Sequence, residues 1–62
     1  MKIGDFINTS LGKVIILDIK DKYLILFNQE EGKFIKANNY DIKDNKVFWQ
    51  QGEYYSNLDG LK

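Results

Sequence analysis

The sequence predicts an all-β fold, a small five-stranded antiparallel barrel or curled meander with at most one short helical turn at its C-terminal end. Three observations carry this expectation. Short apolar runs rich in Ile, Val, Leu, Phe and Tyr recur at a spacing of roughly 8 to 12 residues. Clusters of Gly, Asn, Asp and Lys separate them, and these residues favour turns. No segment spaces its apolar residues as a helix face requires.

Taken in order, Ile3, Phe6 and Ile7 place an extended piece over residues 3–8, and Thr9, Ser10 and Gly12 turn the chain. Residues 14–27 then read VIILDIKDKYLILF, two strands around a charged break at Lys20, Asp21 and Lys22. Alternation sets Val14, Ile16 and Asp18 against Ile15, Leu17 and Ile19, and in the second strand Tyr23, Ile25 and Phe27 against Leu24 and Leu26. Both faces of this hairpin are apolar. Either the sheet curls into a barrel around it or a second subunit covers it.

The segment Asn28 to Gly32 makes the next turn, and residues 33–38 form a strand with Phe34 and Lys36 opposed to Ile35 and Ala37. Asn38-Asn39 marks irregular backbone before Tyr40-Asp41-Ile42, because Asn tolerates the left-handed region. Lys43-Asp44-Asn45-Lys46 is the plainest turn. Val47-Phe48-Trp49 opens the last strand, which Gly52 bulges before Tyr54-Tyr55 resume it. Ser56 caps a single helical turn running through Leu58 and Leu61. No linker divides the chain, so residues 1–62 form one domain.

Composition narrows the function. The chain has no His and no Cys, which removes the usual zinc ligands, the usual general base and any disulfide. Nine Lys balance nine acidic residues and Arg is absent, so neither a net field nor a bidentate fork draws the molecule to duplex DNA. No apolar run reaches the roughly 18 residues of a membrane span, and Met1-Lys2-Ile3-Gly4-Asp5 lacks the apolar core of a signal peptide. The expected location is therefore the cytoplasm. Ser10 has no base near it in sequence, Asp18 and Asp21 read as strand-end and turn residues, and no phosphate loop or paired-carboxylate motif occurs. The chain is expected to be no enzyme and to need no cofactor.

The candidate binding residues are the aromatics Tyr40, Phe48, Trp49, Tyr54 and Tyr55, with Lys36 beside them. Alternation sends Phe48 and Trp49 to opposite faces, so one of them is presented outward. Trp and Tyr join large apolar area to few rotors and a polar tip, which concentrates them in interface hot spots.

The first half, through Gly4, Asp5, Gly12, Lys13 and Val14, resembles SH3-like barrels of the KOW type, in which Gly-Asp precedes the first strand and Gly-Lys-Val enters the second. The second half, through Phe34, Tyr40, Asp41, Trp49, Gly52, Tyr54 and Tyr55, resembles small uncharacterised proteins of phages and mobile elements in low-GC bacteria. The first resemblance implies an SH3-like barrel. The second implies an accessory protein that binds and inhibits a host protein, such as a defence nuclease.

Three functions remain open. The leading one is a non-enzymatic protein-binding module with a host protein as partner. The second is a single-stranded nucleic-acid binder that stacks bases on Trp49, Tyr54 and Tyr55. The third is a homo-oligomer that hides the second face of the hairpin.

Overall fold

A computed structural model describes residues 2–57 of the chain. Their strands are β1 (Phe6–Thr9), β2 (Gly12–Ile19), β3 (Tyr23–Asn28), β4 (Lys33–Asn38), β5 (Asp41–Lys43), β6 (Lys46–Phe48) and β7 (Gln51–Tyr55). Among the described residues there is no helix. One open seven-stranded sheet contains them all, in the order β5-β6-β1-β2-β3-β4-β7. The fold is thus all-β, with β1 to β4 as a meander. It differs from the expected five antiparallel strands in number and in direction, since β6 joins β1 in parallel through Asn8↔Lys46 and Thr9↔Val47.

Local chemistry accounts for the differences. The expected strand over residues 3–8 starts late because residues 2–5 form a turn, with the Asp5 N–H bonded to the Lys2 carbonyl at 3.1 Å. Gly4 stands at φ 92°, a conformation that L side chains avoid and that the third position of such a turn needs. Its N–H donates to the Ile16 carbonyl, whose residue in turn donates its N–H to Asp5, so two residues face one in a glycine bulge.

The long last strand divides for a different reason. Asp44 and Asn45 take φ 53° and 61°, the left-handed pair of a two-residue hairpin turn, so Ile42 and Val47 pair with each other. Trp49 and Gln50 then carry the chain across, and β7 adds to β4 on the far side of the sheet. Val47 and Tyr54, expected in one strand, belong to separate ones. The helical turn expected through Leu58 and Leu61 lies outside the described residues.

A bulge in β2 decides which side chains enter the core. Ile16 pairs with Leu26 but Asp18 pairs with Ile25, which leaves Leu17 as the extra residue. Regular alternation would place Asp18 on the same face as Val14 and Ile16. The extra residue instead puts Asp18 on the opposite face and turns Ile19 inward, opposite Leu24. Val14, Ile16, Leu24, Leu26, Ile35 and Ala37 form the core, joined by Val47 from β6, and Ile7, Ile19, Tyr40 and Trp49 pack against it. The sheet is therefore curled enough to bring β6 over the inner face of β2 to β4.

Asn28 is buried among apolar groups, yet its side chain is satisfied. Its Oδ1 accepts the N–H groups of Glu30 at 3.0 Å and Glu31 at 3.3 Å, and its carbonyl accepts the Gly32 N–H at 2.8 Å. One residue thereby closes the β3–β4 loop, as a short polar side chain bonding its own backbone does.

Candidate binding face

With Leu24, Leu26, Ile35 and Ala37 inward, their neighbours along each strand point outward. The pairing registers align Phe6 with Ile15, Ile15 with Phe27, Phe27 with Phe34, and Phe34 with Tyr55. These five apolar side chains form one line across β1, β2, β3, β4 and β7, about 19 Å long at the usual strand spacing. The Phe27 and Phe34 rings are 4.7 Å apart and tilted by 36°, a favourable aromatic pairing. Phe6 is 53% exposed, and the other four are half-buried.

Polar rows run beside the apolar one. On one side, Asp18, Lys36 and Glu53 align by register, interrupted at β3 by the apolar Ile25. On the other, Lys13, Asn8, Lys46 and Lys43 align across β2, β1, β6 and β5. Two lysines cover aromatic faces, Lys13 over Phe6 at 5.6 Å and Lys36 over Tyr23 at 4.6 Å from the ring centroid. Where β1 starts ahead of β6, a cleft of about 350 Å³ opens, lined by Phe6, Ile7, Ile16 and Ile42 with Asp5, Asn8 and Asn45.

Glu53 collects the polar contacts at the β7 end of the face. Its Oε2 accepts from the Asn38 amide at 3.1 Å and faces the Lys36 ammonium at 3.8 Å, while its Oε1 accepts from the Tyr55 hydroxyl at 2.9 Å. The Asn38 hydrogen bond, then that from Tyr55, then the Lys36 charge hold its carboxyl below the ordinary 4.5. The same bond, with some loss of hydration, holds the Tyr55 hydroxyl above 10.0. A lowered carboxyl pKa contributes stability above the unfolded value, and that contribution is lost as pH falls through the folded one. The raised Tyr55 value acts conversely, its contribution disappearing above pH 10.0. We expect the thermal midpoint of the wild type to fall more steeply below pH 4.5 than that of Glu53→Gln, a difference read from paired melts across that range. Parallel curves would mean that the carboxylate does not feel its partners in solution.

The residues singled out from the sequence divide between the two faces. Tyr55 and Lys36 lie on the outer face, Tyr55 at the end of the apolar row and Lys36 in the row beside it. Trp49 and Tyr54 converge over Gly52 on the inner side, where Trp49 packs against the core and Tyr54 stays 50% exposed. Phe48 is 49% exposed on β6, the outward-facing aromatic of its pair with Trp49. Both border a shallow recess with Asn39, Asp41 and Gln50. Tyr40 stands apart, with its ring against the core and its hydroxyl donating to the Lys20 carbonyl at 3.3 Å.

Phe6, Ile15, Phe27 and Phe34 are the members of the row that inspection of single strands misses. Their signal was the second apolar face of the hairpin, which becomes a row once the two-residue loop at Ser10 and Leu11 sets Phe6 opposite Ile15. Among the described residues no group of three or more Asp or Glu could hold a metal ion, and no helix is long and apolar enough to cross a membrane. The fold and this face define the molecule as a small all-β protein with a partly open apolar row on a single sheet. Compared with protein-family models, curated proteins and solved structures, the chain matches none.

Proposed function

We propose that the protein is a non-enzymatic protein-binding module and that it binds through the outer face of its sheet. The observation that carries this reading is the row Phe6, Ile15, Phe27, Phe34 and Tyr55, which no element of the described chain covers. A row of aromatic anchors between polar borders has the make-up of a protein interface, in which an apolar centre is ringed by polar groups. The balance of nine Lys and nine acidic residues favours protein over phosphate as the target. The likeness of the second half to phage and mobile-element proteins supports an inhibited host protein as one form of partner, and that of the first half supports a relation to SH3-like domains.

One observation favours a second reading. Lys13, Lys46 and Lys43 line up beside the apolar row, an arrangement suited to a single strand whose bases stack on the aromatics while its phosphates follow the lysines. Affinity capture separates the two readings, using a bacterial lysate and a differently tagged copy of the chain as prey, with and without nuclease. Protein binding predicts a protein recovered in both arms and lost with Phe6→Glu. Recovery abolished by nuclease would transfer the face to nucleic acid, and recovery indifferent to Phe6→Glu would remove the face from the function.

A further inference from the structure

We infer that the partner of the outer face is a second copy of this chain, packed face to face as a two-sheet sandwich; this inference rests on the protein-binding reading. Opposite charges border the apolar row on its two sides along β2. Lys13 lies one outward-facing step from Ile15 on one side. Because Leu17 is an extra residue, Asp18 lies one outward-facing step from Ile15 on the other side. A two-fold axis laid along the row sets each strand against its own copy in the reverse direction. Ile15 then meets Ile15, Phe27 meets Phe27, and Lys13 of each copy comes opposite Asp18 of the other.

The same operation sets neither of the other charges bordering the row on β4 and β7 against its like. Lys36 comes opposite the Gly32 end of β4, and Glu53 opposite Asn57 beyond β7. With zero formal net charge, two copies approach without long-range repulsion. The available area is of the right order. Stable pairs bury about 800 Å² per partner, and the two longer extents of the molecule, 30 and 24 Å, bound a face of roughly 700 Å². Stacked sheets sit about 10 Å apart with strands some 30° from aligned, so apolar side chains of both rows interdigitate between them. This packing would cover the second face of the hairpin, which the curled sheet leaves open.

Charge reversal tests the axis itself. Lys13 and Asp18 lie near opposite ends of one strand and cannot reach each other within a molecule. Asp18 already faces the Lys20 ammonium at 3.4 Å, so Lys20→Glu with Asp18→Lys, which restores that local pair and the net charge but not the contact across the axis, serves as the control and should fail to recover the dimer. We expect the wild type to sediment at twice 7.3 kDa at micromolar concentration. Lys13→Glu and Asp18→Lys should each weaken the dimer about tenfold or more, and the double variant should restore it to within about threefold of wild type. Phe6→Glu, at an exposed position that the core does not use, should give a folded monomer by circular dichroism. A wild type that stays monomeric at about 100 μM, far above the dissociation constants of stable dimers, overturns the inference. If Phe6→Glu still loses a captured protein in that case, the protein-binding reading survives without self-association. A dimer in which the double variant fails to recover overturns this packing as well, because the two copies then meet elsewhere.

Discussion

Leu26→Ala is expected to remove a large share of the protein's stability. Leu26 is fully buried at the centre of the sheet, opposite Ile16 on one side and Ile35 on the other. Cutting a buried Leu to Ala costs about 2–5 kcal/mol, the lost transfer energy plus the cavity left behind. Total stability at roughly 0.05–0.15 kcal/mol per residue comes to about 3–9 kcal/mol for a chain of 62 residues. In a domain this small each kcal/mol moves the melting temperature by about 4–8 °C, so a drop of at least about 10 °C is expected. The neighbouring Ile25 faces outward and is half-buried, and Ile25→Thr should cost less than half as much. Melts of the two variants followed by far-ultraviolet circular dichroism check the contrast. Equal losses would mean that the two faces are buried alike.

Gly52→Ala is the second large effect, through crowding instead of a cavity. A Cβ at Gly52 would lie 2.6 Å from Trp49 Nε1 and 2.8 Å from the Tyr54 hydroxyl, both closer than real contacts allow. The Tyr54 ring tip can move, since that residue is half exposed, but Trp49 is held against the core. Either the indole leaves its seat or β7 shifts against β4. Overpacking of this kind costs about 1–3 kcal/mol. Trp49 is the only tryptophan, so its emission reports the outcome directly. We expect a red shift, readier quenching by acrylamide and a lower melting temperature. Unchanged emission with unchanged stability would show that the aromatic pair does not rest on Gly52.

The strand content was legible from the apolar run of residues 23–27 between turn residues and from the alternation of residues 33–38, where Leu24, Leu26, Ile35 and Ala37 are all buried. The left-handed backbone at Asn39 was legible from the residue type, and φ there is 54°. Strand alternation failed at Leu17, since a bulge is one extra residue with no composition of its own, and it reversed the faces of Asp18 and Ile19. The division of the last strand was hidden for a related reason. Nothing between Val47 and Tyr55 says that the chain leaves one edge of the sheet for the other, a choice made by what β1 and β4 leave unpaired. Among the candidate residues, alternation put Phe48 and Trp49 on opposite faces but did not say which faces out; it is Phe48, with Trp49 against the core. The apolar row did not follow from alternation, because it exists only in the register between strands.

The parallel pairing of β6 with β1 has a consequence for the order of assembly. The hairpins from β1 through β4 and the β5–β6 hairpin close over short loops and can zip locally. Asn8 and Lys46, by contrast, stand 38 positions apart, and bringing such distant segments together spends chain entropy before any contact rewards it. Docking of β6, and with it the burial of Val47, is accordingly expected to come last. Until then the Val14 and Ile16 side of the core is open to water, and the least settled moment in the life of this chain is the interval between its local hairpins and the arrival of β6, the most distant of its strand pairings.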